Sequence, residues 1–154
     1  MKLIKVLAEK NATGKVYTID AGSSVKAAAK KLCSLRIGCL LVVEPGVDPV
    51  KYIGIISERD VIRAVSADNV DIDVMKVDEI MTKNMIVANK DDDVEYVMNV
   101  MTRHKIRHIP VIVGKTIGGV VSIGDIVDSI KEQQDIEVHW LTDFTGTSER
   151  NDVF

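Results

Sequence analysis

The sequence is poor in aromatic residues and has no long apolar run. Aromatic side chains make up 4% of its 154 residues, and the apolar positions hold mainly Val, Ile, Leu, Ala and Met, a composition typical of helices packed on strands. No apolar run approaches the roughly 18 residues that span a membrane, so a membrane is not expected as a partner. The formal net charge of −3 offers no basic field for DNA or RNA, so a nucleic acid is not expected as a main partner.

Cysteine is equally scarce, which bears on redox chemistry and metal binding. Cys33 and Cys39 provide neither a disulfide framework nor a metal-ligand spacing. Both are expected to be buried packing residues, since no histidine is visibly paired with either. His104 and His108 are four residues apart, but a helix-to-strand boundary is expected between them and basic residues surround them, so no metal site is predicted. The expected location is cytoplasmic, with a processed organellar form as the alternative.

What the sequence does contain is an internal repeat. When the chain is shifted against itself so that Val25 falls on Val94, one apolar helix face aligns with another, and Ala28, Ala29 and Leu32 fall on Val97, Met98 and Met101. After a longer loop in the first copy a shorter shift applies, and it aligns Gly54, Ser57 and Asp60 with Gly119, Ser122 and Asp125. An insertion at residues 44–49 reconciles the two shifts. The agreement of apolar period and polar landmarks predicts a tandem duplication.

Each copy predicts the same β-α-β-β-α order of elements, which makes the fold class α+β. The predicted strands are Val16–Ile19, Cys39–Val43 and Tyr52–Ile56 in the first copy, and Met85–Ala88, His108–Val113 and Ile117–Val121 in the second. The helices within the copies are predicted to end near Leu35 and His104, and the last helices to start at Ser57 and Ser122. A unit of about 50 residues is too small for a good core, so the copies are expected to pack together.

The predicted domain boundaries follow from the repeat. The first domain covers residues 5–65, a linker rich in Asp and Val covers 66–77, and the second domain covers 78–130. Residues 131–154 are predicted to form a helical extension and a tail. Within this extension an apolar stripe at helical spacing is expected to contact a second chain; it consists of Ile136, Trp140, Leu141 and Phe144.

Both copies carry the polar signature Gly-apolar-apolar-Ser-x-x-Asp, at residues 54–60 and 119–125. Serine followed three residues later by a carboxylate is close to a capping box, which is the structural interpretation. The functional interpretation is a nucleoside phosphate site. A strand that leads directly into a helix presents free N–H groups and a positive dipole to a phosphate, and an aspartate can accept hydrogen bonds from ribose hydroxyls. The sequence leaves both interpretations open.

These runs, together with Ile106–Val111, resemble the CBS-domain family, named after cystathionine β-synthase. The resemblance extends from about Lys5 to Val127 and is strongest to stand-alone CBS pairs (Bateman modules) of bacteria and plant mitochondria. It implies two tandem CBS domains packed as a pair, and a homodimer of such chains. It also implies a regulatory adenine nucleotide, namely AMP, ADP or ATP, with NADH or S-adenosylmethionine as further candidates. It implies no catalytic residue and no catalytic cofactor.

The resemblance also assigns roles to individual residues. Ribose hydroxyls would be bound by Asp60 and Asp125. The phosphate would be met by Ser57, Arg59, Ser122, Arg107 and His108. The adenine pocket would be formed by Thr18, Ile19, Ile37, Val87, Ala88, Ile109 and Pro110. For Arg107 a solvated surface charge stays open as the alternative, and for His108 a structural role. Because these two residues replace Gly38 and Cys39 of the first copy, the two sites are expected to differ in affinity.

The function that follows is a nucleotide sensor that acts on a separate effector protein. The alternative is a protein-interaction scaffold whose nucleotide clefts are vestigial, and aspartate at both ribose positions argues against it. An enzyme is not expected, because neither paired carboxylates nor a nucleophile with an adjacent base stands out in the sequence.

Overall fold

The computed structural model describes the backbone of residues 1–10 and 15–145, and the side chains as far as residue 141. Along this part of the chain the elements are α1 (Leu3–Lys10), β1 (Thr18–Asp20), α2 (Val25–Leu35), β2 (Cys39–Val43), β3 (Tyr52–Ser57), α3 (Glu58–Ser66), α4 (Val77–Ile80), β4 (Ala88–Asn89), α5 (Val94–His104), β5 (His108–Val113), β6 (Thr116–Ser122) and α6 (Ile123–Thr145). The α+β class and the tandem β-α-β-β-α repeats are confirmed. In the same residues, no helix is long and apolar enough to cross a membrane.

Each repeat forms its own three-stranded sheet. The strand orders are β1-β2-β3 and β4-β5-β6, with the first strand parallel to the middle one and the third antiparallel to it. Thr18 pairs with Leu41, and Ala88 pairs with Val111 at the same separation along the chain. A register irregularity follows Val42 in β2 and Val111 in β5. The duplication therefore extends to the irregularities of the sheets.

The helices α2 and α5 end where the sequence predicts, at Leu35 and His104. The next residues, Arg36 and Lys105, both adopt a left-handed φ of 54°. This conformation closes the last turn, because the following N–H groups then donate back to helix carbonyls. The donated bonds are Ile37 to Leu32 at 3.1 Å and Ile106 to Met101 at 3.0 Å. The chain passes in this way from the helix directly to the middle strand of each sheet.

The first strand of each repeat begins later than predicted. The sequence predicts Val16–Ile19 and Met85–Ala88, whereas the structure has Thr18–Asp20 and Ala88–Asn89. The apolar residues at the predicted starts precede the paired strands and line clefts at the boundary between the repeats. Two of them, Tyr17 and Ile86, also pack against the apolar cores.

Two separate apolar cores stabilise the pair, one in each repeat. The first core includes Ala28, Leu32, Leu40, Val42, Ile56 and Val77. The second includes Leu3, Val6, Leu7, Val97, Met101, Ile109, Val121 and Ile126. The sheets supply one face of each core and the long helices the other, as the helical and alternating apolar patterns predict.

The helix that precedes each repeat packs against the other repeat. The sequence predicts a first domain that begins at residue 5, yet the buried residues of α1 belong to the core of the second repeat. The Leu3 N–H donates to the Asp92 carbonyl at 3.0 Å. Correspondingly, α4 precedes the second repeat, and its Val77 N–H donates to the Ser23 carbonyl of the first repeat at 2.8 Å. The two leading helices are therefore exchanged between the repeats.

Candidate ligand-binding clefts

Two clefts lie at the boundary between the repeats, and each contains one aspartate of the duplicated signature. The Asp60 cleft has a volume of about 420 Å³, and its lining includes Ser57, Asp60, Asn84, Met85, Ile86 and Ile106. The Asp125 cleft has a volume of about 340 Å³, and its lining includes Ser122, Asp125, Lys10, Val16, Tyr17 and Ile37. Both volumes lie within the range of about 300–1,000 Å³ that is usual for small-ligand pockets.

Each cleft combines the signature of one repeat with the strand entry of the other. Asp60 lines the same cleft as residues 85–86, which precede β4. Asp125 lines the same cleft as residues 16–17, which precede β1. The contributing positions of the two clefts correspond to each other under the duplication. The candidate sites are therefore formed across the boundary, and neither repeat has a complete site alone.

The aspartate of each signature caps the helix that begins there, as the structural interpretation of the motif predicts. Oδ2 of Asp60 accepts hydrogen bonds from the Ser57 backbone N–H at 2.8 Å and from the Ser57 hydroxyl at 3.0 Å. Oδ2 of Asp125 accepts the same two bonds from Ser122, at 2.6 and 2.7 Å. The Ser122 hydroxyl oxygen also accepts a bond from the Asp125 N–H at 3.2 Å. In both signatures an aspartate therefore accepts the N–H of the capping serine, at a position where glutamate is the usual residue.

Capping uses one oxygen of each carboxylate and is therefore compatible with ligand binding. Oδ1 of Asp60 has an ion pair with Arg63 at 3.7 Å, which is too long for a direct hydrogen bond. Within the described side chains, the bonds to Asp125 all reach Oδ2. Only 14% of the Asp60 side chain and 23% of the Asp125 side chain are exposed. Each cap thus holds a carboxylate in a fixed orientation in its cleft, with Oδ1 able to accept a hydroxyl.

The helix N-termini offer fewer free amides to an anion than the sequence predicts. The first amide of α3, from Glu58, donates to the Gly38 carbonyl at 3.1 Å. The first amide of α6, from Ile123, donates to the Arg107 carbonyl at 3.0 Å. These bonds continue the ladder between the last two strands of each sheet. Because these first amides are engaged, they are not available to a phosphate in either cleft.

Basic side chains line both clefts. The Asp60 cleft has Arg59, Arg63, Lys105 and Arg107, and the Asp125 cleft has Lys10, Lys15 and Arg36. Arg59 is oriented across the repeat boundary, since its Nη1 donates to the Lys105 carbonyl at 3.0 Å. Arg107 lies 3.7 Å from the carboxylate of Glu58, and 48% of its side chain is exposed. This position is compatible with either role predicted for Arg107, a phosphate contact or a solvated charge.

Cys39 and His108 line both clefts and form a wall that the clefts share. They occupy equivalent positions, at the starts of β2 and β5. Gly38 provides the space for this wall, because a Cβ atom there would lie 2.5 Å from Nε2 of His108. A side chain at position 38 would therefore displace the imidazole ring from the wall.

Burial gives the wall residues unusual acid-base properties. It raises the pKa of the Cys39 thiol to about 12, so this thiol stays protonated and is not a nucleophile. It also lowers the pKa of His108, and the charges of Lys10 and Arg107 lower this pKa further. His108 is therefore neutral at physiological pH. The prediction that Cys39 is buried is confirmed, whereas Cys33 is exposed, because it lies beside the apolar face of α2 rather than on it.

Asp125 differs from Asp60 in having a close contact with a lysine. Nζ of Lys10, at the end of α1, donates to Oδ2 of Asp125 at 2.6 Å. Burial opposes the ionisation of Asp125, but Lys10 and the two bonds from Ser122 outweigh it, so the pKa of Asp125 is lowered. The carboxylate is thus ionised at neutral pH and is paired within the protein.

The lowered pKa of His108 makes the stability of the fold depend on pH. The unfolded chain protonates this histidine near its ordinary pKa of 6.5, and the folded protein protonates it only at lower pH. Because the unfolded state then binds more protons, the free energy of unfolding decreases as the pH falls below about 6.5. Chemical denaturation at several pH values should show the decrease, and His108→Gln should reduce it. An NMR titration that gives His108 a pKa of 6.5 or higher would contradict this expectation.

All the predicted ribose and phosphate residues line the two clefts, together with Ile37 and Pro110 of the predicted adenine pocket. The other predicted adenine-pocket residues do not; they are Thr18, Ile19, Val87, Ala88 and Ile109. Three of these five belong to the apolar cores, namely Ile19, Ala88 and Ile109. Because β1 and β4 begin later than predicted, the residues that line the clefts lie earlier in the chain than the predicted ones, before each strand. The binding roles themselves stay predictions.

Several residues that line the clefts were not predicted from the sequence, although one pair of them has a detectable signal. Arg36 and Lys105 are basic residues at matching positions of the repeat, directly before Ile37 and Ile106. A basic residue that recurs directly before an isoleucine in both copies would have predicted that these positions line the clefts. Lys10 gave no such signal, because its approach to the cleft depends on where α1 packs.

Comparison with known proteins supports this architecture. The family model of the CBS domain matches residues 11–67 and 77–132. The mitochondrial CBS domain-containing protein CBSX3 of Arabidopsis thaliana is 34% identical over 134 residues, a match that covers 86% of this chain and 65% of that protein. The chain thus spans somewhat less than two thirds of the length of this plant relative.

Solved structures with the same fold include proteins with bound adenosine derivatives. A CBS-domain protein of Burkholderia ambifaria has a TM-score of 0.77 and 33% identity, over 84% of this chain and 93% of that one. The protein PAE2072 of Pyrobaculum aerophilum, complexed with AMP, has a TM-score of 0.68 and 25% identity, over 81% and 89%. The CBS pair of protein MJ0100, in complex with 5′-methylthioadenosine and S-adenosyl-L-methionine, has a TM-score of 0.67 and 26% identity, over 86% and 98%. Since the two domain matches cover well over half of the chain, it belongs to the CBS-domain family as a tandem pair.

Proposed function

We propose that this CBS pair is a regulatory module that binds adenine nucleotides in its two clefts and catalyses no reaction. The observation that carries the proposal is the duplicated carboxylate, fixed by a serine cap and available through Oδ1 in both clefts. Two vicinal ribose hydroxyls are the groups that such an acceptor suits. AMP in PAE2072 and adenosyl ligands in MJ0100 support the choice of adenosine derivatives.

The basic lining favours nucleotides over uncharged nucleosides. The Asp60 cleft has four Arg or Lys side chains in its lining. Several cations around one carboxylate leave net positive charge, which suits the phosphates of AMP, ADP or ATP. S-adenosylmethionine and NADH are the further candidates, and the first is less suited to these cations because its sulfonium is positively charged.

The signal would pass to a separate effector protein. A ligand that contacts both repeats at their boundary can change the angle between them only if it binds one arrangement more tightly than the other. Since the lining of each cleft comes from both repeats, a nucleotide bound there would contact both sides of their boundary. This arrangement favours a sensor over the alternative of a passive interaction scaffold.

The test is calorimetric titration of the nucleotide-stripped protein with AMP, ATP, NADH and S-adenosylmethionine. Saturable binding of AMP or ATP, together with unchanged nucleotide after prolonged incubation, is the expected result. Turnover of the nucleotide would indicate an enzyme instead. If none of the four ligands binds to correctly folded protein, the sensor is excluded and the interaction scaffold becomes the better explanation.

We also propose that the chain forms a homodimer through the exposed face of α6. Ile136 and Trp140 lie one turn apart on this helix and are 59% and 68% exposed, and Leu141 beside them is also exposed. Phe144, the fourth residue of the predicted stripe, has its side chain outside the described residues. Exposed apolar side chains at helical spacing commonly mark an interface.

Trp140→Glu is expected to weaken this dimer by about 2 kcal/mol or more, since a buried tryptophan is a common interface hot spot. Sedimentation velocity over a range of protein concentrations measures the change. Lys131→Glu places a carboxylate at an exposed position on the side of the helix opposite Trp140 and serves as the control. A variant that dimerises as tightly as the wild type would exclude this face as the contact.

A further inference from the structure

The contact between Lys10 and Asp125 distinguishes the two clefts. Nζ of Lys10 lies 2.6 Å from Oδ2 of Asp125, and 35% and 23% of the two side chains are exposed. In the Asp60 cleft, the chain that leads into β4 contributes the neutral residue Asn84 instead. The only ion pair of Asp60 within the described residues is the longer one with Arg63, at 3.7 Å. Of the two predicted ribose acceptors, Asp125 is therefore closely paired with a cation of the protein, and Asp60 is not.

Lys10 is held at the cleft by the packing of its helix. The helix α1 contributes three buried side chains to the core of the second repeat. Its Leu3 and Ile4 N–H groups donate to the Asp92 and Lys90 carbonyls at 3.0 and 2.8 Å. Next to Lys10 in the chain, Glu9 accepts a hydrogen bond from the buried hydroxyl of Ser129. Lys10 thus lies at the end of a helix whose position is fixed by packing, and its flexible side chain can change partner without movement of the backbone.

We infer that Lys10 makes the Asp125 cleft selective for adenosine ligands that carry a phosphate. This inference rests on the proposed function and specifies the ligand class of one of its two sites. A ribose hydroxyl that binds Oδ1 of Asp125 shares this carboxylate with the ammonium group that is already bound at Oδ2. An uncharged nucleoside offers Lys10 no replacement for the carboxylate, whereas a phosphate offers a second anion within the same cleft.

The charge of the ligand therefore decides whether the contact helps or hinders binding. For AMP the ammonium group is transferred toward the phosphate and contributes to affinity. For adenosine it remains a competitor for the carboxylate. For S-adenosylmethionine it also repels the sulfonium. In the Asp60 cleft the nearest such cation, Arg63, lies 3.7 Å from Oδ1 of Asp60 and competes more weakly, so discrimination between AMP and adenosine there depends on other residues.

The experiment isolates the Asp125 cleft in an Asp60→Ala background and titrates it with AMP and adenosine, with and without Lys10→Asn. The substitution introduces the residue type that the other cleft has at this place. The ratio of AMP affinity to adenosine affinity is expected to fall about tenfold, because AMP loses a charge-assisted bond and adenosine loses a competitor. Lys10→Arg keeps the charge and should retain most of the ratio.

Lys5→Asn is the matched control. Lys5 lies on the same helix and has an ion pair with Glu9 at 4.0 Å, outside both clefts, so this variant should leave the ratio unchanged. An unchanged ratio in Lys10→Asn overturns the inference while nucleotide binding itself stands. If the Asp60→Ala protein binds neither ligand, the inference is also overturned. The Asp125→Ala protein then tests the proposed function, which fails if this variant binds neither ligand as well.

Discussion

Asp60→Ala is expected to weaken AMP binding at the Asp60 cleft about 10- to 150-fold and to leave the Asp125 cleft nearly unchanged. The loss corresponds to about 1.5–3 kcal/mol, the contribution of a hydrogen bond to a charged group. The expectation rests on the orientation of the carboxylate, in which Ser57 holds Oδ2 and Oδ1 is able to accept a ribose hydroxyl. A two-site calorimetric titration measures the effect, and Asp125→Ala should produce the reciprocal result.

The capping role of Asp60 requires a separate control. Loss of the cap should lower the free energy of unfolding by about 1 kcal/mol, whether or not the residue binds ligand. Glu79 makes a comparable bond at the start of α4, where its Oε2 accepts the Lys76 N–H at 2.6 Å, and it lies outside both clefts. Glu79→Ala should therefore reduce stability without affecting affinity. If Asp60→Ala behaves in the same way, Asp60 is only a helix cap.

The elements of each repeat could be predicted because their signals are local. The apolar spacing of α2 and α5 and the β-rich runs of β2 and β5 lie within single segments, and all four elements end where the sequence predicts. Both helices end in left-handed residues, Arg36 and Lys105, which stop the helical pattern abruptly. Short strands with only two or three paired residues, such as β1 and β4, offer too little pattern to define their limits.

The exchange of α1 and α4 between the repeats could not be predicted in the same way. Amphipathic helices of eight and four residues indicate that one face is buried, but not which core covers it. A repeated segment was nevertheless present, since Met1-Lys2-Leu3 corresponds to Met75-Lys76-Val77. The shift between these two segments is longer than the shift that aligns Val25 with Val94, and the difference conceals the correspondence.

The residues of the candidate sites were predictable by type, and the composition of each cleft was not. Serine and aspartate could be selected because they recur at one spacing in both copies. A duplication is symmetric, however, so it cannot show whether Asp60 meets the strand entry of its own repeat or of the other. Packing of the two sheets decides this, and it also places Lys10 beside Asp125 alone.

Gly38→Val is expected to weaken ligand binding in both clefts, by about tenfold or more in each. A Cβ atom at position 38 would lie 2.5 Å from Nε2 and 2.6 Å from Cε1 of His108, so the imidazole ring must move out of the shared wall. The ring lines both clefts, and its movement changes the shape of each. Overpacking of this kind should also lower the free energy of unfolding by about 1–3 kcal/mol. The measurements are two-site titration and denaturant unfolding.

A double-mutant cycle with His108→Ala attributes the loss of stability to this contact. If the clash with the ring is the cause, the double variant should be more stable than the sum of the single effects predicts, because the added side chain then occupies the space of the ring. Gly22→Ala is the control, since a Cβ atom there has no neighbour within 4 Å and the clefts are not involved. Additive destabilisation in the cycle, or a loss of affinity in only one cleft, would show that His108 is not a wall common to both sites. A loss in both clefts with strong coupling to His108 would show that this histidine is the wall that the two sites share.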